Sequence, residues 1–278
     1  MAQPQSSSGT DGPIAAWGES VPLSPGDTLR NGLSDMTLSV TLLAHEWQVR
    51  VARHPGAREE TAWHQWCDSA LPEHDEGLER FARGNEAPRV ALRPALADLP
   101  LIVRPNHPLH LPPGTDTTIY MSTLVWLQLM VGEDRRLMEV PVRQPSWTWM
   151  GADTMEGELC YASLTAARLE PDNLPRRPWR AMSAVRLRHE GDDYLTLDRF
   201  SFPAPIMPLF RQSEPGVDGA HSLWTPTLSI RCERDLATAS LKVEATPPPE
   251  AGPCTALAPA RQPVERNHLV RTMDRIFG

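Results

Sequence analysis

The chain has 278 residues, of which 40% are hydrophobic, with 29 Pro, 17 Gly and a formal net charge of −8. Prolines spread this evenly exclude a long helical bundle, because each one removes a helical hydrogen bond. The negative charge is opposite to the basic footprint that a nucleic-acid-binding surface requires, so we expect no nucleic-acid partner.

The N-terminal residues lack the pattern of a signal peptide. The longest apolar run falls well short of the ~20 residues that a membrane-spanning helix needs. We therefore expect a soluble cytoplasmic protein without direct membrane insertion.

The first predicted unit is a β domain over residues 14–155, preceded by a polar segment, residues 1–13, whose composition predicts disorder. Apolar and polar residues alternate from Leu38 to Leu42 and again from Trp47 to Val51. This alternation is typical of strands with one buried face.

Residues 56–83 differ from the rest of this unit. Trp63, Trp66 and Leu71 recur at helical spacing, and residues 54–86 hold eight acidic side chains against three arginines. We predict a helical insertion at 56–83 that packs its apolar stripe against a sheet and exposes its acidic face.

Residues 156–246 continue as short strands separated by turn residues, for example Met182–His189 and Tyr194–Phe200 around the turn at 190–193. Short strands at even spacing are typical of a β-sandwich. We predict a mainly β fold of one or two packed antiparallel β-sandwiches. Residues 156–246 are then a second sandwich or the second half of the same one.

The tail divides into a Pro/Ala-rich linker at 247–263 and an amphipathic C-terminal helix at 264–277. Such a helix either folds back on its own sheet or enters a groove on another chain. We favour the first arrangement and keep the second as an alternative. The apolar candidates for contact in this helix are Leu269, Met273, Ile276 and Phe277.

Catalytic and metal-binding patterns are not recognisable in the sequence. His64, Cys67 and His74 lack the close-spaced pairs of a zinc site. Cys160 lies in an alternating run that predicts a buried strand face, where a thiol is inert. We expect no catalytic residue, no cofactor and no metal.

Two clusters are candidates for binding. Trp147 and Trp149 lie two residues apart, so an extended chain points both side chains the same way. We favour the interpretation that they fill a core. The second interpretation is that they anchor a protein partner, and the third is that they stack on a ligand ring. Arg176, Arg177 and Arg180 suit an anionic partner, although a solvated loop is the default interpretation.

The same tryptophans lie in a stretch that resembles a known family. Residues 145–151 read Pro-Ser-Trp-Thr-Trp-Met-Gly, and residues 157–162 read Gly-Glu-Leu-Cys-Tyr-Ala. These segments resemble two motifs of the family catalogued as domain of unknown function 432. Trp147 replaces a smaller polar residue of the family pattern, and Met150 replaces an aromatic one.

The resemblance covers residues 17–249 and implies no established activity, cofactor or catalytic residue. It does imply an association with genes for small-conductance mechanosensitive channels.

Together these observations predict a non-catalytic cytoplasmic accessory or protein-interaction module. A protein partner is expected, with a membrane channel of the mechanosensitive type as the candidate that the resemblance implies and a homo-oligomer as an alternative. A small-molecule or sugar-binding sensor with a Trp platform is the second hypothesis. An enzyme built from scattered His and acidic residues is the third.

Overall fold

The computed structural model describes residues 16–55, 62–69, 77–151, 155, 157–165, 167–174, 176–215, 221–232, 238–263, 268–272 and 276–277. The strands in the first half are β1 (Ser20–Pro22), β2 (Thr28–Leu33), β3 (Met36–Leu42), β4 (Glu46–Arg53), β5 (His64–Asp68), β6 (Leu78–Ala82), β7 (Arg89–Ala95), β8 (Leu101–Pro105), β9 (Leu109–Leu111), β10 (Asp116–Leu124), β11 (Trp126–Val131) and β12 (Arg135–Pro141). Those in the second half are β13 (Ser146–Gly151), β14 (Gly157–Thr165), β15 (Arg180–His189), β16 (Leu195–Leu197), β17 (Phe200–Phe202), β18 (Leu209–Gln212), β19 (Leu223–Trp224), β20 (Leu228–Cys232), β21 (Thr238–Val243), β22 (Cys254–Ala258) and β23 (His268–Thr272). Short 3-10 helices lie at Pro171–Asn173, Ala204–Ile206 and Pro249–Ala251.

These strands form five sheets. The five-stranded sheet has the order β5-β2-β3-β4-β6, and the eight-stranded sheet has the order β22-β18-β19-β15-β20-β21-β23 with β10 also paired to β15. A β7 sheet (β1-β7-β11-β12), a β8 sheet (β13-β14-β8-β17) and the pair β16-β9 complete the fold. The mainly β prediction is therefore confirmed.

The sheets share one large core. Its buried apolar cluster extends along the chain from Trp17 to Phe277. Alternation within single strands produces it: in β15, Val185 and Leu187 are buried, whereas Arg186 is exposed. Each fully buried side chain of this size stabilises the fold by about 1.5–3 kcal/mol.

The pairing is not purely antiparallel. β14 runs parallel to β8, and β15 runs parallel to both β19 and β20. The pairs β8–β14 and β10–β15 also cross the predicted division at residue 155. The predicted N-terminal segment, residues 1–13, lies outside the described residues.

The helical insertion predicted at 56–83 is wrong where the chain is described. His64–Asp68 is strand β5, which pairs with β2, and Leu78–Ala82 is strand β6, which pairs with β4. The remainder of the predicted insertion, at 56–61 and 70–76, lies outside the described residues.

The edges of β2 and β4 explain this difference. Each offers a row of backbone groups that a neighbouring strand satisfies, and such tertiary pairing overrides local helical spacing. Trp63 is buried beside β2, where its indole Nε1 donates to Asn31 Oδ1 at 3.0 Å. The apolar residue at this position therefore packs under a strand instead of on a helical stripe.

The prediction for the tail is also wrong over two described segments. Within the predicted linker, Cys254–Ala258 is strand β22 and pairs with β18. Within the predicted helix at 264–277, His268–Thr272 is strand β23 and pairs with β21, while 264–267 and 273–275 lie outside the described residues. The free edges of β18 and β21 supply backbone partners, so the tail completes the eight-stranded sheet.

Within the described part of the chain, no helix has the length and apolar character needed to cross a bilayer.

Candidate interaction surface

The β13–β14 hairpin presents an apolar surface at the end of the β8 sheet. Its antiparallel register places Trp147 opposite Tyr161 and Trp149 opposite Leu159. Directly opposite residues share one face of a sheet, as do residues two apart on a strand. Trp147, Trp149 and Leu159 therefore lie together, and we call these three side chains the Trp ridge.

The Trp ridge is exposed to solvent. Trp147 is 60% exposed, Trp149 43% and Leu159 47%. The interpretation of the two tryptophans as core residues is therefore wrong. The spacing correctly predicted that both side chains point to the same face. It did not predict that this face is exposed at the edge of the fold.

The two tryptophans are exposed because of the position of β13 within its sheet. Trp147 begins a row that continues through Tyr161, Leu101 and Phe202 on neighbouring strands. The last three side chains are buried in the large core. β13 is the terminal strand, so the same apolar face extends beyond the core and becomes surface.

An aromatic stack fixes the inner end of the ridge. The Tyr161 ring lies 5.3 Å from the ring of buried Trp126 and 4.9 Å from that of Trp147. Tyr161 also donates its hydroxyl hydrogen to Asp98 Oδ1 at 3.1 Å. Burial first, and then the Asp98 charge, raises the pKa of Tyr161, which keeps the phenol protonated and donating. Each aromatic pair adds about 0.5–1.5 kcal/mol beyond its buried area.

A glycine seats the outer end of the ridge. A Cβ at Gly157 would lie 2.4 Å from Nε1 of Trp149 and 2.6 Å from the carbonyl oxygen of Met150. The indole therefore rests directly on the glycine backbone. The roles of Gly157 and Leu159 are not evident from the sequence, although both residues lie in the second family motif, because only the register of the hairpin places them beside Trp149.

The opposite face of the hairpin is anchored by a small separate core. Met150, Cys160 and Ile102 are at most 1% exposed and contact one another. The prediction that Cys160 lies on a buried strand face is confirmed. With one face packed on this cluster and the other joined to the aromatic stack, the hairpin is a firm support for the ridge.

The arginine cluster lies before and at the start of β15, on a different sheet from the ridge. Arg180 donates from Nε to Ser122 Oγ at 2.9 Å and from Nη2 to the Ser122 carbonyl oxygen at 2.6 Å, so it holds β15 to β10. Arg176 pairs with Asp172 at 3.2 Å, and Arg177 donates to the carbonyl oxygen of Arg176 at 2.8 Å. The structure does not assemble these three side chains into one anion-binding fork.

The C-terminal candidates do not extend the surface. Ile276 and Phe277 are 0% and 7% exposed and pack in the large core, which corrects their interpretation as contact residues. Leu269 lies in β23, opposite Leu241 of β21. Met273 lies outside the described residues.

A polar groove lies on the outer face of the eight-stranded sheet. Two adjoining hollows of about 190 and 510 Å³ meet near Arg186. Asp116 lies between Arg186 and Arg188, at 2.8 and 3.0 Å, and their hydrogen bonds lower its pKa to about 2. Lys242 and Arg231 have carboxylate partners as well. The charges on this face thus satisfy one another, as on a solvated sheet surface.

Among the described residues, no three His, Cys, Asp or Glu side chains come together in a group that could hold a metal ion. His64 and Cys67 of the sequence pattern lie on the exposed edge strand β5, and His74 lies outside the described residues.

Comparison with known proteins agrees with the two motifs that form the hairpin. The family model described as "Protein of unknown function (DUF432)" matches residues 16–277. The chain belongs to the DUF432 family. The suspected resemblance is thereby confirmed, and the match extends beyond residue 249 into the strands of the tail. No curated protein and no solved structure matches this DUF432 chain significantly.

Proposed function

We propose that this DUF432 protein is a non-catalytic interaction module that binds a protein partner through the Trp ridge. One observation supports the proposal above others: two tryptophans and a leucine, 43–60% exposed, lie side by side on a terminal strand. Tryptophan is enriched among the few residues that dominate binding energy at protein interfaces.

The electrostatics of the ridge support a protein ligand. Its three side chains are uncharged, and the residues that flank it in register, Gly151 and Gly157, are glycines. Uncharged, apolar anchors lose little on desolvation when a partner covers them. The rigid aromatic support also lowers the entropy cost of binding, because the indoles are already oriented.

The partner that the family resemblance implies is a membrane channel of the mechanosensitive type. A cytoplasmic accessory role at such a channel is part of the proposal. The ridge would then contact a protein segment of the channel and not the lipid.

The test is capture of partners from gently lysed source cells, membranes included, with the full-length chain as bait. The double variant Trp147→Ala and Trp149→Ala is expected to lose a stoichiometric partner that the wild type retains. Trp66→Ala is the matched control, because Trp66 is 44% exposed on an edge strand of another sheet. Equal capture by all three proteins would remove the ridge as the contact surface.

A second function, binding of a sugar or another small ring, is favoured by the same exposed indoles. Aromatic faces on a flat strand surface stack on apolar ring faces, as bases do on aromatic platforms. Titration with neutral oligosaccharides, followed by tryptophan fluorescence, tests it. A saturable change that disappears in the double variant would support this alternative, whereas a flat response would eliminate it for these ligands.

A further inference from the structure

The terminal strand β13 lacks the features that protect the edges of most sheets. Natural edge strands carry charged side chains, prolines or bulges that prevent pairing with another chain. β13 reads Ser-Trp-Thr-Trp-Met-Gly, with no charge and no proline, and its register with β14 is uninterrupted. Among the described residues, β13 pairs with β14 on one side only. Ser146, Trp147 and Trp149 are exposed along this edge.

Within β13, the segment Trp147-Thr148-Trp149 is symmetric about Thr148. Thr148 has a tryptophan on each side. If two copies of β13 pair antiparallel with Thr148 on the two-fold axis, Trp147 of each copy lies opposite Trp149 of the other. Thr148 then lies opposite itself. Aromatic pairs and Thr–Thr pairs are both favourable across strands, and a two-fold interface requires this kind of self-complementarity.

Charge favours contact at this edge over contact elsewhere. Each chain carries a formal net charge of −8, so two copies repel each other over most approaches. Residues 144–151 contain no charged side chain. Pairing through β13 therefore brings together two segments that carry no charged side chain.

The available area also favours a self-complementary partner. The exposed fractions of Trp147 and Trp149, 60% and 43%, amount to one indole side chain per copy. That is about 150–250 Å², against about 800 Å² per partner in a standard interface. The ridge by itself is therefore a small contact, and strand pairing with a second copy enlarges it by adding main-chain hydrogen bonds and by bringing both ridges together.

We propose that a second copy of this chain binds at β13, by antiparallel pairing of the two β13 strands about a two-fold axis at Thr148. The two β8 sheets then form one continuous eight-stranded sheet with four tryptophans on one face. This inference rests on the proposed function, because it names the protein partner of the same ridge. The small apolar area makes the dimer weak and reversible.

Sedimentation equilibrium across the micromolar range tests the dimer with the full-length chain. The wild type is expected to show a monomer–dimer equilibrium, and Trp149→Lys and Ser146→Lys are each expected to weaken it at least about ten-fold, because lysine protects edge strands. Trp66→Lys is the matched control and is expected to leave the dissociation constant unchanged. Circular dichroism establishes that each variant is folded, and Ser146→Lys alters only an exposed position.

Disulfide trapping tests the register. The background is Cys67→Ser with Cys160→Ala, which removes the exposed native thiol and the thiol that lies opposite Thr148 on β14. In this background, Thr148→Cys places two cysteines opposite each other across the dimer at a Cα separation of about 4.5–5.5 Å. That distance permits a disulfide. Ser146→Cys places them about 13 Å apart, since four residues separate them along the strand, and this exceeds what a disulfide spans. Oxidation should therefore give covalent dimers with Thr148→Cys and not with Ser146→Cys.

The outcomes separate this inference from the proposed function. A wild type that stays monomeric throughout, or a dimer that ignores both lysine variants and the Thr148→Cys trap, overturns pairing through β13. If tryptophan-dependent capture of a different protein persists in the monomeric case, the interaction module stands with another partner. If the wild type neither forms a dimer nor captures a protein in a tryptophan-dependent way, the ridge is not a contact surface and both proposals are wrong.

Discussion

Two tryptophans of nearly equal exposure have different surroundings. Trp66 is 44% exposed on β5, and Trp149 is 43% exposed on β13, each at the end of a sheet. β5 also carries His64 and Asp68, and Asp68 pairs with Arg30 at 2.9 Å. β13 carries no charge. The comparison shows that exposure of an indole does not by itself identify a contact surface, because charged neighbours protect one edge and not the other.

The seating of the two indoles differs as well. A glycine lies near each of them, Gly32 beside Trp66 and Gly157 beneath Trp149. A Cβ added at Gly32 would lie 3.8 Å from the Trp66 ring, an ordinary contact, whereas one at Gly157 would lie 2.4 Å from Trp149 Nε1. Trp149 is therefore tightly seated, and a tightly seated aromatic group is preorganised for binding.

The largest expected effect is the difference in unfolding free energy between replacing a buried tryptophan and replacing a tryptophan of the Trp ridge. Trp47 is fully buried and donates from Nε1 to Glu86 Oε1 at 2.9 Å. Trp47→Ala should lower the free energy of unfolding by about 3–5 kcal/mol. Trp147→Ala should cost only about 0.5–1.5 kcal/mol, the value of its stack on Tyr161. Urea denaturation measures both. Equal losses would show that the ridge is part of the core after all.

Alternation along the chain was sufficient to predict the central strands. Leu38–Leu42 and Trp47–Val51 alternate in sequence and lie in β3 and β4. The burial of Cys160 followed from the same rule, since the strand carrying it has one face against other side chains. Such features depend on a period of two, which a sequence displays directly.

Position within a sheet is not encoded locally, and the wrong predictions share that cause. Residues 268–272 have the composition of an amphipathic helix, yet the edge of β21 makes them a strand. Trp147 and Trp149 have the composition of a core strand, yet β13 has no described neighbour on its outer side. In the first segment the partner strand decides the structure, and in the second the terminal place in the sheet decides the exposure; periodicity within a segment reveals neither.

An intermediate effect tests the seating of the two indoles. Gly157→Ala should lower the free energy of unfolding by about 1–3 kcal/mol, because the new methyl group overlaps both the Trp149 indole and a backbone oxygen. Gly32→Ala, the matched control beside Trp66, should cost less because its methyl group meets only ordinary contacts. The indole N–H resonance of Trp149, assigned through Trp149→Phe, should shift in the first variant. An unshifted resonance with unchanged stability would mean that the indole is loosely held.

The smallest effect concerns a charged edge of the five-stranded sheet, where Arg80 of β6 pairs with Glu46 of β4 at 2.6 Å. The hydrogen bond from Arg80, and then that from Gln48, lowers the pKa of Glu46 below its ordinary value of 4.5. A carboxyl whose pKa is lowered on folding stabilises the protein at any pH above its pKa in the unfolded state. That stabilisation is lost as the pH falls through the lower pKa of the folded state. Wild type should therefore be slightly more stable than Glu46→Gln at neutral pH.

That difference should vanish as the pH is lowered well below 4.5, where Glu46 is protonated and resembles glutamine. It should also shrink with added salt, because the pair is solvent-exposed. Thermal melts of both proteins across this pH range measure it. A difference that stays constant with pH would show that the charge of Glu46 is not its source.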